Sequence, residues 1–241
     1  MVDYSKEFTL STAPQRSAEW YKERAGKPSA SMLAELFETK RDGTPTAKAK
    51  EYLKKLAFER RFGVTYNSFQ TKAMADGVYF EDFAKLVYQK DTGNKLSEAF
   101  SYISDWFVAT PDANVVEAKT LKKGLLECKV VGDNTFMDIM ENGIPHKHEL
   151  QVQGQMLASG ADWVDYIVVN LKTQHYIIIR IERNDELIKQ IYERLHEPLD
   201  LPELFDLGVK SFDPELLTQY MNNNQGIAEN EEVVIPDDIG F

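Results

Sequence analysis

The sequence predicts an α/β (α+β) fold, a single domain in which a central mixed β-sheet is flanked by helices. Two apolar runs, Trp163–Leu171 (WVDYIVVNL) and His175–Arg183 (HYIIIRIER), are rich in β-branched residues and short enough to be strands. Segments of helical rhythm stand both before and after an extended block. No repeat and no compositional break divides the chain before Gly226. Helices on both sides of a sheet, without a linker between them, describe one domain rather than two halves.

Each element has its own signal. Ser17 caps a short helix carrying Trp20 and Arg24, and Pro28 and Ser29 interrupt the chain after it. A second helix opens near Ser31 and stops at the turn Arg41-Asp42-Gly43. Longer helices are expected over 46–61 and 70–91, the latter ending before Gly93. Extended segments follow around 95–103, 105–109, 114–118 and 124–131. A helix near 133–142 and another across 147–159, closed by Gly160, precede the two β-rich runs; a last pair of helices follows Asn184.

Of the 241 residues, 43% are hydrophobic, enough for one sizeable core. Lys plus Arg number 28 against 39 for Asp plus Glu, a formal charge of −11. That argues against a generically basic nucleic-acid binder but leaves room for a local basic groove on an acidic body. The lone cysteine, Cys128, excludes an intramolecular disulfide and a four-cysteine metal or iron–sulfur site within one chain. The opening MVDYSKEFTLSTAPQ does not read as a signal peptide, and no apolar run approaches the length of a membrane span. A cytoplasmic protein without membrane attachment is the expectation.

The chemistry concentrates in Thr110-Pro-Asp112 and Leu125-Leu-Glu127-Cys-Lys129. Side chains alternate along a strand, so Glu127 and Lys129 share a face while Cys128 points away. Leu125, Leu126, Val130 and Val131 mark that strand as buried, where a Glu and a Lys are costly unless paired or bound to metal. Asp112 and Glu127, fifteen residues apart, offer hard oxygen ligands suited to Mg²⁺. The adjacent ammonium can orient or help deprotonate a water, or meet charge developing on phosphorus. An E-x-K pair on a strand is equally the pattern of a surface salt bridge.

The arrangement of an Asp followed by E-x-K resembles the PD-(D/E)XK nuclease signature. Further motifs resemble the phage lambda-type alkaline exonucleases, the YqaJ-type viral recombinases. Trp20-Tyr-Lys-Glu-Arg24-Ala-Gly26 is similar to that family's W-x-x-x-R-x-G, and Ser29-Ala-Ser31 to its S/T-A-S helix start. Gly77-Val-Tyr-Phe-Glu81 resembles G-x-x-x-E, Thr110-Pro-Asp112 resembles S-P-D, Leu126-Glu-Cys-Lys129 resembles L-E-x-K, and Gln151-Val-Gln153 resembles Q-V-Q. The ordered set spans residues 19 to 153. Asp76 stands where a Trp often precedes the Gly, and Ala113 replaces the Gly after the Asp.

The resemblance implies a Mg²⁺-dependent 5′-to-3′ exonuclease, with Mn²⁺ able to substitute, that digests one strand of linear double-stranded DNA and leaves 3′ overhangs. It implies a homotrimer working with a single-strand annealing protein in a bacterial host cell. Asp112 and Glu127, with the Cys128 backbone carbonyl, would bind metal; Lys129 would assist the water. Glu81 would reach the metals or their waters, and Gln153 would position the reacting centre. Arg24, Ser31 and Thr110 match the pocket for the 5′-terminal phosphate. For these there is also a physical case, since a helix opening at Ser31 favours an anion and Arg24 can grip phosphate bidentately. Met74 matches a wedge that splays the strands, and Arg41 an arginine that enters the minor groove. Because Gln151 and Gln153 are two apart on a helix, only one can face the site, and Gln153 is taken. The alternatives are a PD-(D/E)XK endonuclease of restriction or repair type and a non-catalytic recombination scaffold.

Three other features lie outside that core. Residues 40–61 hold eight bases against three acids, which suits either a DNA-facing helix or a solvated face. His146 and His148, two apart on a helix, are read as surface histidines. From Gly226 the chain carries five acids and no base, so domain boundaries of 1–225 and 226–241 follow. The tip, with Asp237, Asp238, Ile239 and terminal Phe241, resembles the acidic tails of bacterial single-stranded-DNA-binding proteins and is expected to dock on a replication or recombination partner. A pulldown with and without the last five residues tests this: partner recovery falls on truncation, and unchanged recovery sinks the idea.

Overall fold

The computed structural model describes residues 3–64, 79–118, 120, 123–204, 209–211 and 213–223. Met74, the tail residues Asp237, Asp238, Ile239 and Phe241, the first part of the helix expected over 70–91 and the expected boundary at 225/226 lie outside the described residues. The chain divides into two compact units, Met1–Glu203 and Leu204–Phe241. In the second, the described helix is Pro214–Asn223, whose opening is tightened by the Asp213 carboxylate accepting from Glu215 N at 3.0 Å.

The first unit holds seven α-helices among the described residues: α1 (Ala18–Arg24), α2 (Leu33–Phe37), α3 (Ala47–Phe62), α4 (Glu81–Thr92), α5 (Asp133–Asn142), α6 (His146–Ser159) and α7 (Asp185–His196). Its strands are β1 (Thr9–Leu10), β2 (Lys95–Ser97), β3 (Tyr102–Ile103), β4 (Val108–Ala109), β5 (Ala113–Val116), β6 (Lys123–Val130), β7 (Trp163–Asn170) and β8 (His175–Glu182). They form two sheets, a small β1-β3-β4 and a five-stranded β2-β5-β6-β7-β8. The large sheet is mixed as expected, β6 and β7 pairing parallel and every other neighbour antiparallel. A parallel pair needs a long crossover, and α5 and α6 supply it. The small sheet is a feature the sequence reading did not separate.

The two faces of the large sheet bury different sets. Leu125, Val164, Tyr166 and Val168 face α6, α7 and the 30–37 segment, while Leu126, Cys128, Ile167 and Val169 pack with Ala84 and Tyr88 of α4. Ile188, Ile191 and Leu195, at spacings of three and four, give α7 its apolar stripe, and Asn184 caps it by accepting from Leu187 N at 3.1 Å. α6 is different, buried continuously from Leu150 to Ala158, a helix through the core rather than on it. Gly154 permits this, since a Cβ there would meet Leu33 Cδ1 at 2.5 Å and Phe107 Cζ at 3.2 Å.

One expected helix is shorter than its sequence suggests. A 3₁₀ turn at Ala30–Met32 leads into α2, which ends at Phe37 rather than at Arg41-Asp42-Gly43. Glu38 is already extended, Thr39 bridges Pro45, and Asp42 Oδ1 accepts from Thr44 N at 3.0 Å. That local side chain-to-backbone bond competes with the helix and makes a small hairpin with Arg41 exposed near its tip. No described helix is long and apolar enough to cross a membrane.

Gly154→Ala gains helix propensity but overpacks against Leu33 and Phe107. It is expected to lower stability by about 1–3 kcal/mol, read by denaturant melts; a stabilised variant would show that α6 has room to move.

Candidate active site

The corner between the two sheets is three residues long. β4 ends at Ala109 and β5 begins at Ala113, so Thr110, Pro111 and Asp112 carry the chain from one sheet to the other. Proline fixes its own backbone and restricts the residue before it, so the corner is stiff. Asp112 N donates to Leu126 O at 3.1 Å, and Cys128 N donates to Asp112 Oδ2 at 2.6 Å. β5 does not reach Cys128, so the Asp112 carboxylate takes the place of a strand partner. The period of two puts the Cys128 carbonyl on the same edge as its N–H, beside that carboxylate.

Glu127 is only 2% exposed and is held from three sides. Lys129 Nζ lies 2.5 Å from Oε1, Gln151 Nε2 donates to Oε1 at 2.6 Å, and Gln155 Nε2 donates to Oε2 at 2.6 Å. The pairing of Glu127 with Lys129 on one strand face is as the alternation requires. Gln153 is a correction. It turns to the far side of α6, where Nε2 donates to Glu182 O at 2.9 Å and Oε1 accepts from Asn184 N at 2.9 Å, clasping the end of β8 to the start of α7. Residues two apart on a helix diverge by about 200°, so choosing Gln153 excluded its neighbours. Gln151 and Gln155, an i,i+4 pair on one face, were the legible alternative, and Gln155 was missed.

Glu81 opens α4 on the opposite face of the sheet. It pairs with Lys85 at 2.6 Å and Arg16 at 3.5 Å. Beside it a cleft of about 650 Å³ runs past Arg16, Glu81, Lys85 and Gln89 to Asp112. Arg16 holds a left-handed backbone, φ 68°, unusual for a residue with a side chain. Burial, then the Glu127 and Glu81 charges, push the Asp112 carboxyl well above its ordinary range. Burial works to lower the Lys129 ammonium, but Glu127 and Asp112 outweigh it and hold that group above its ordinary value.

Among the described residues no three His, Cys, Asp or Glu side chains gather into a metal site on their own. The donor set nevertheless fits a hard cation that retains water: two carboxylates near enough for Glu127 to raise Asp112, a strand-edge carbonyl, and an Asp112 whose Oδ2 alone takes a described hydrogen bond. The repulsion that raises Asp112 is what a divalent ion would relieve.

Arg24 and Thr110 meet directly, Nη1 donating to Oγ1 at 2.9 Å. Thr110 Oγ1 and Ser101 Oγ share a bond of 2.6 Å, and Trp20 Nε1 donates to Ser101 Oγ at 2.8 Å. Two hydroxyl protons serve one mutual bond, so one remains without a described acceptor. Arg24 also lies over the Trp20 ring, 4.1 Å from its centroid, and pairs with no described carboxylate. Burial pulls its guanidinium down to about 10, against the opposing pull of Tyr52 and Glu59. A buried cation beside a spare hydroxyl proton is a pair of donors suited to an anion. Gly26, one residue past the α1 cap Ala25, has φ 72° and packs so near α3 that a Cβ there would meet Arg60 Cγ at 2.4 Å. Ser29 and Ser31 share a contact at 3.3 Å, but Ser31 is exposed, lies within the 3₁₀ turn rather than capping a long helix, and makes no described bond to Arg24 or Thr110. Ser101, which the sequence reading missed, has no local motif.

His148 corrects the reading of two surface histidines. His146 is exposed beside Glu149, but His148 Nδ1 lies 2.6 Å from the Tyr166 hydroxyl. Burial and the nearby Lys129 lower it to about 4, so it is neutral.

Several known structures are similar to this chain in fold. An alkaline exonuclease from Laribacter hongkongensis, LHK-Exo, is 26% identical with a TM-score of 0.65, covering 88% of this chain and 98% of its own. Its complex with dAMP matches at 25% identity and a TM-score of 0.66, covering 88% of this chain and 98% of its own. A phage-related exonuclease from Haemophilus somnus, at 18% identity and a TM-score of 0.53, covers 70% of this chain and 90% of its own and shows the shared fold. No curated protein matches the sequence. The YqaJ-like viral recombinase domain matches residues 19–162, more than half of the chain, and the protein belongs to that family.

Proposed function

We propose that the protein is a Mg²⁺-dependent exonuclease that digests one strand of linear duplex DNA from its 5′ end and leaves a 3′ overhang. The family and the likeness to alkaline exonucleases make it a nuclease of recombination. The observation that carries the finer reading is the Arg24–Thr110–Ser101 pocket, an anion site on the same three-residue corner as Asp112. A 5′-terminal phosphate anchored there lies next to the acids, which suits a cut at the end of a strand.

In this reading Asp112, Glu127 and the Cys128 carbonyl hold the ion, and Mn²⁺ can replace Mg²⁺. The ion supplies Lewis-acid polarisation of the phosphate and a more acidic water. Lys129, kept as ammonium, orients the water and meets negative charge on the phosphate oxygens. Gln151 and Gln155 fix Glu127 in one rotamer. Glu81 adds negative charge from the far face, and Arg41, exposed on its hairpin, reaches the duplex. The 5′-phosphate pocket consists of Arg24 and Thr110, with Ser31 at its edge. The protein acts with a single-strand annealing protein, in the cytoplasm of a bacterial host, and as a homotrimer whose enclosure of DNA offsets the −11 charge.

Digestion with Mg²⁺ of a 5′-phosphorylated linear duplex, a 5′-hydroxyl duplex and a closed circle tests this. Mononucleotides are expected first from the phosphorylated end. Lys129→Ala is expected to cut the rate by about 10²-fold or more, and Arg24→Ala to raise KM for phosphorylated ends about tenfold. Cutting of the circle would favour an internal endonuclease on the same acids.

The raised Asp112 carboxyl gives a pH prediction. Between its ordinary value of 3.8 and its raised native one, the folded state holds a proton that the unfolded chain has lost. Stability without metal therefore falls as pH rises through that window. Melted in chelator, Asp112→Asn is expected to gain on wild type as pH rises above the ordinary value of 3.8; a constant gap would place the repulsion elsewhere.

A further inference from the structure

Gln155 belongs to none of the quoted motifs, yet it touches both halves of the site. It is 0% exposed, and its Nε2 donates to Glu127 Oε2 at 2.6 Å and, more weakly, to Thr110 O at 3.4 Å. Its Oε1 is buried without a partner among the described residues. The reversed amide would set an oxygen against the Glu127 carboxylate, so the amide direction is dictated by that acid. Thr110 in turn uses its side chain for Arg24 and Ser101 and its carbonyl for Gln155.

We infer that Gln155 is a positioning residue that transmits occupancy of the Arg24–Thr110 anion pocket to Glu127. The inference rests on the 5′-phosphate reading above. A phosphate drawn to Arg24 and the free hydroxyl proton loads the Thr110 side chain. Thr110 cannot rotate freely ahead of Pro111, so the load moves its carbonyl. The Gln155 amide follows, and with it the oxygen of Glu127 that it holds. Without a terminal phosphate, the two N–H groups of Gln155 serve Glu127 at 2.6 Å but Thr110 only at 3.4 Å, so the amide is anchored from one side and Glu127 is held less firmly. Phosphate recognition then governs the chemical step, not only the binding of DNA ends.

The test compares kcat and KM on 5′-phosphorylated and 5′-hydroxyl blunt duplexes for wild type and Gln155→Met, a near-isostere with no N–H. The variant is expected to keep its KM for phosphorylated ends while its kcat ratio between the two substrates falls toward one. A purely structural role slows both substrates alike and leaves the ratio unchanged, which overturns the inference. If the methionine variant does not fold, Gln155→Asn, too short to span both acceptors, is read in the same way. A wild-type enzyme indifferent to the phosphate overturns the pocket reading and the coupling together. A wild-type preference that survives the substitution overturns the coupling alone.

Discussion

A carboxylate inside a protein persists only if its charge is answered, and Glu127 is answered three times. Lys129 follows it on the same strand face, and Gln151 and Gln155 reach it from α6. Supplying those donors requires a helix against the sheet at side-chain range, which is why α6 is buried over most of its length and carries Gly154 where it crosses Leu33 and Phe107. The parallel pairing of β6 and β7 follows from the same need, since the crossover between them is what places α6 on that face. Removing one partner would leave a desolvated charge, a more severe defect than the loss of one hydrogen bond.

The second half of the site is built by economy of chain. Thr110, Pro111 and Asp112 end one sheet and start another, and each of the polar pair serves a different chemical purpose. Thr110 faces Arg24; Asp112 stands in for the missing strand partner of Cys128. Thr110, which meets Arg24, and Asp112 are therefore separated by one stiff residue rather than by a flexible loop.

The sequence made most of this legible. The strand pattern of 125–131 gave the shared face of Glu127 and Lys129, and β7, β8, α5 and α6 begin and end within a residue of where their apolar periodicity places them. What it hid was tertiary. Spacing groups Gln151 with Gln155, but on a helix buried from Leu150 to Ala158 it does not tell whether their face or that of Gln153 meets the strand. Ser101 has no signal because its partners, Trp20 and Thr110, come from distant parts of the chain. His148 reads as a polar helix residue until Tyr166 is set beside it by β7. The early end of α2 turned on an Asx-type bond at Asp42, a local competition that helical rhythm does not register.

The depth of α6 has a dynamic consequence. Segments that open independently are those with few buried contacts, and α6 has the reverse character from Leu150 to Ala158. Its amides belong with the slowest to exchange with solvent, opening only when the whole unit unfolds. The wall that holds Glu127 is then also the last part of the protein to loosen, so gradual warming has no softened intermediate in which the acid is mispositioned but the fold persists. The placement of Glu127 and the fold of the unit are lost in the same event.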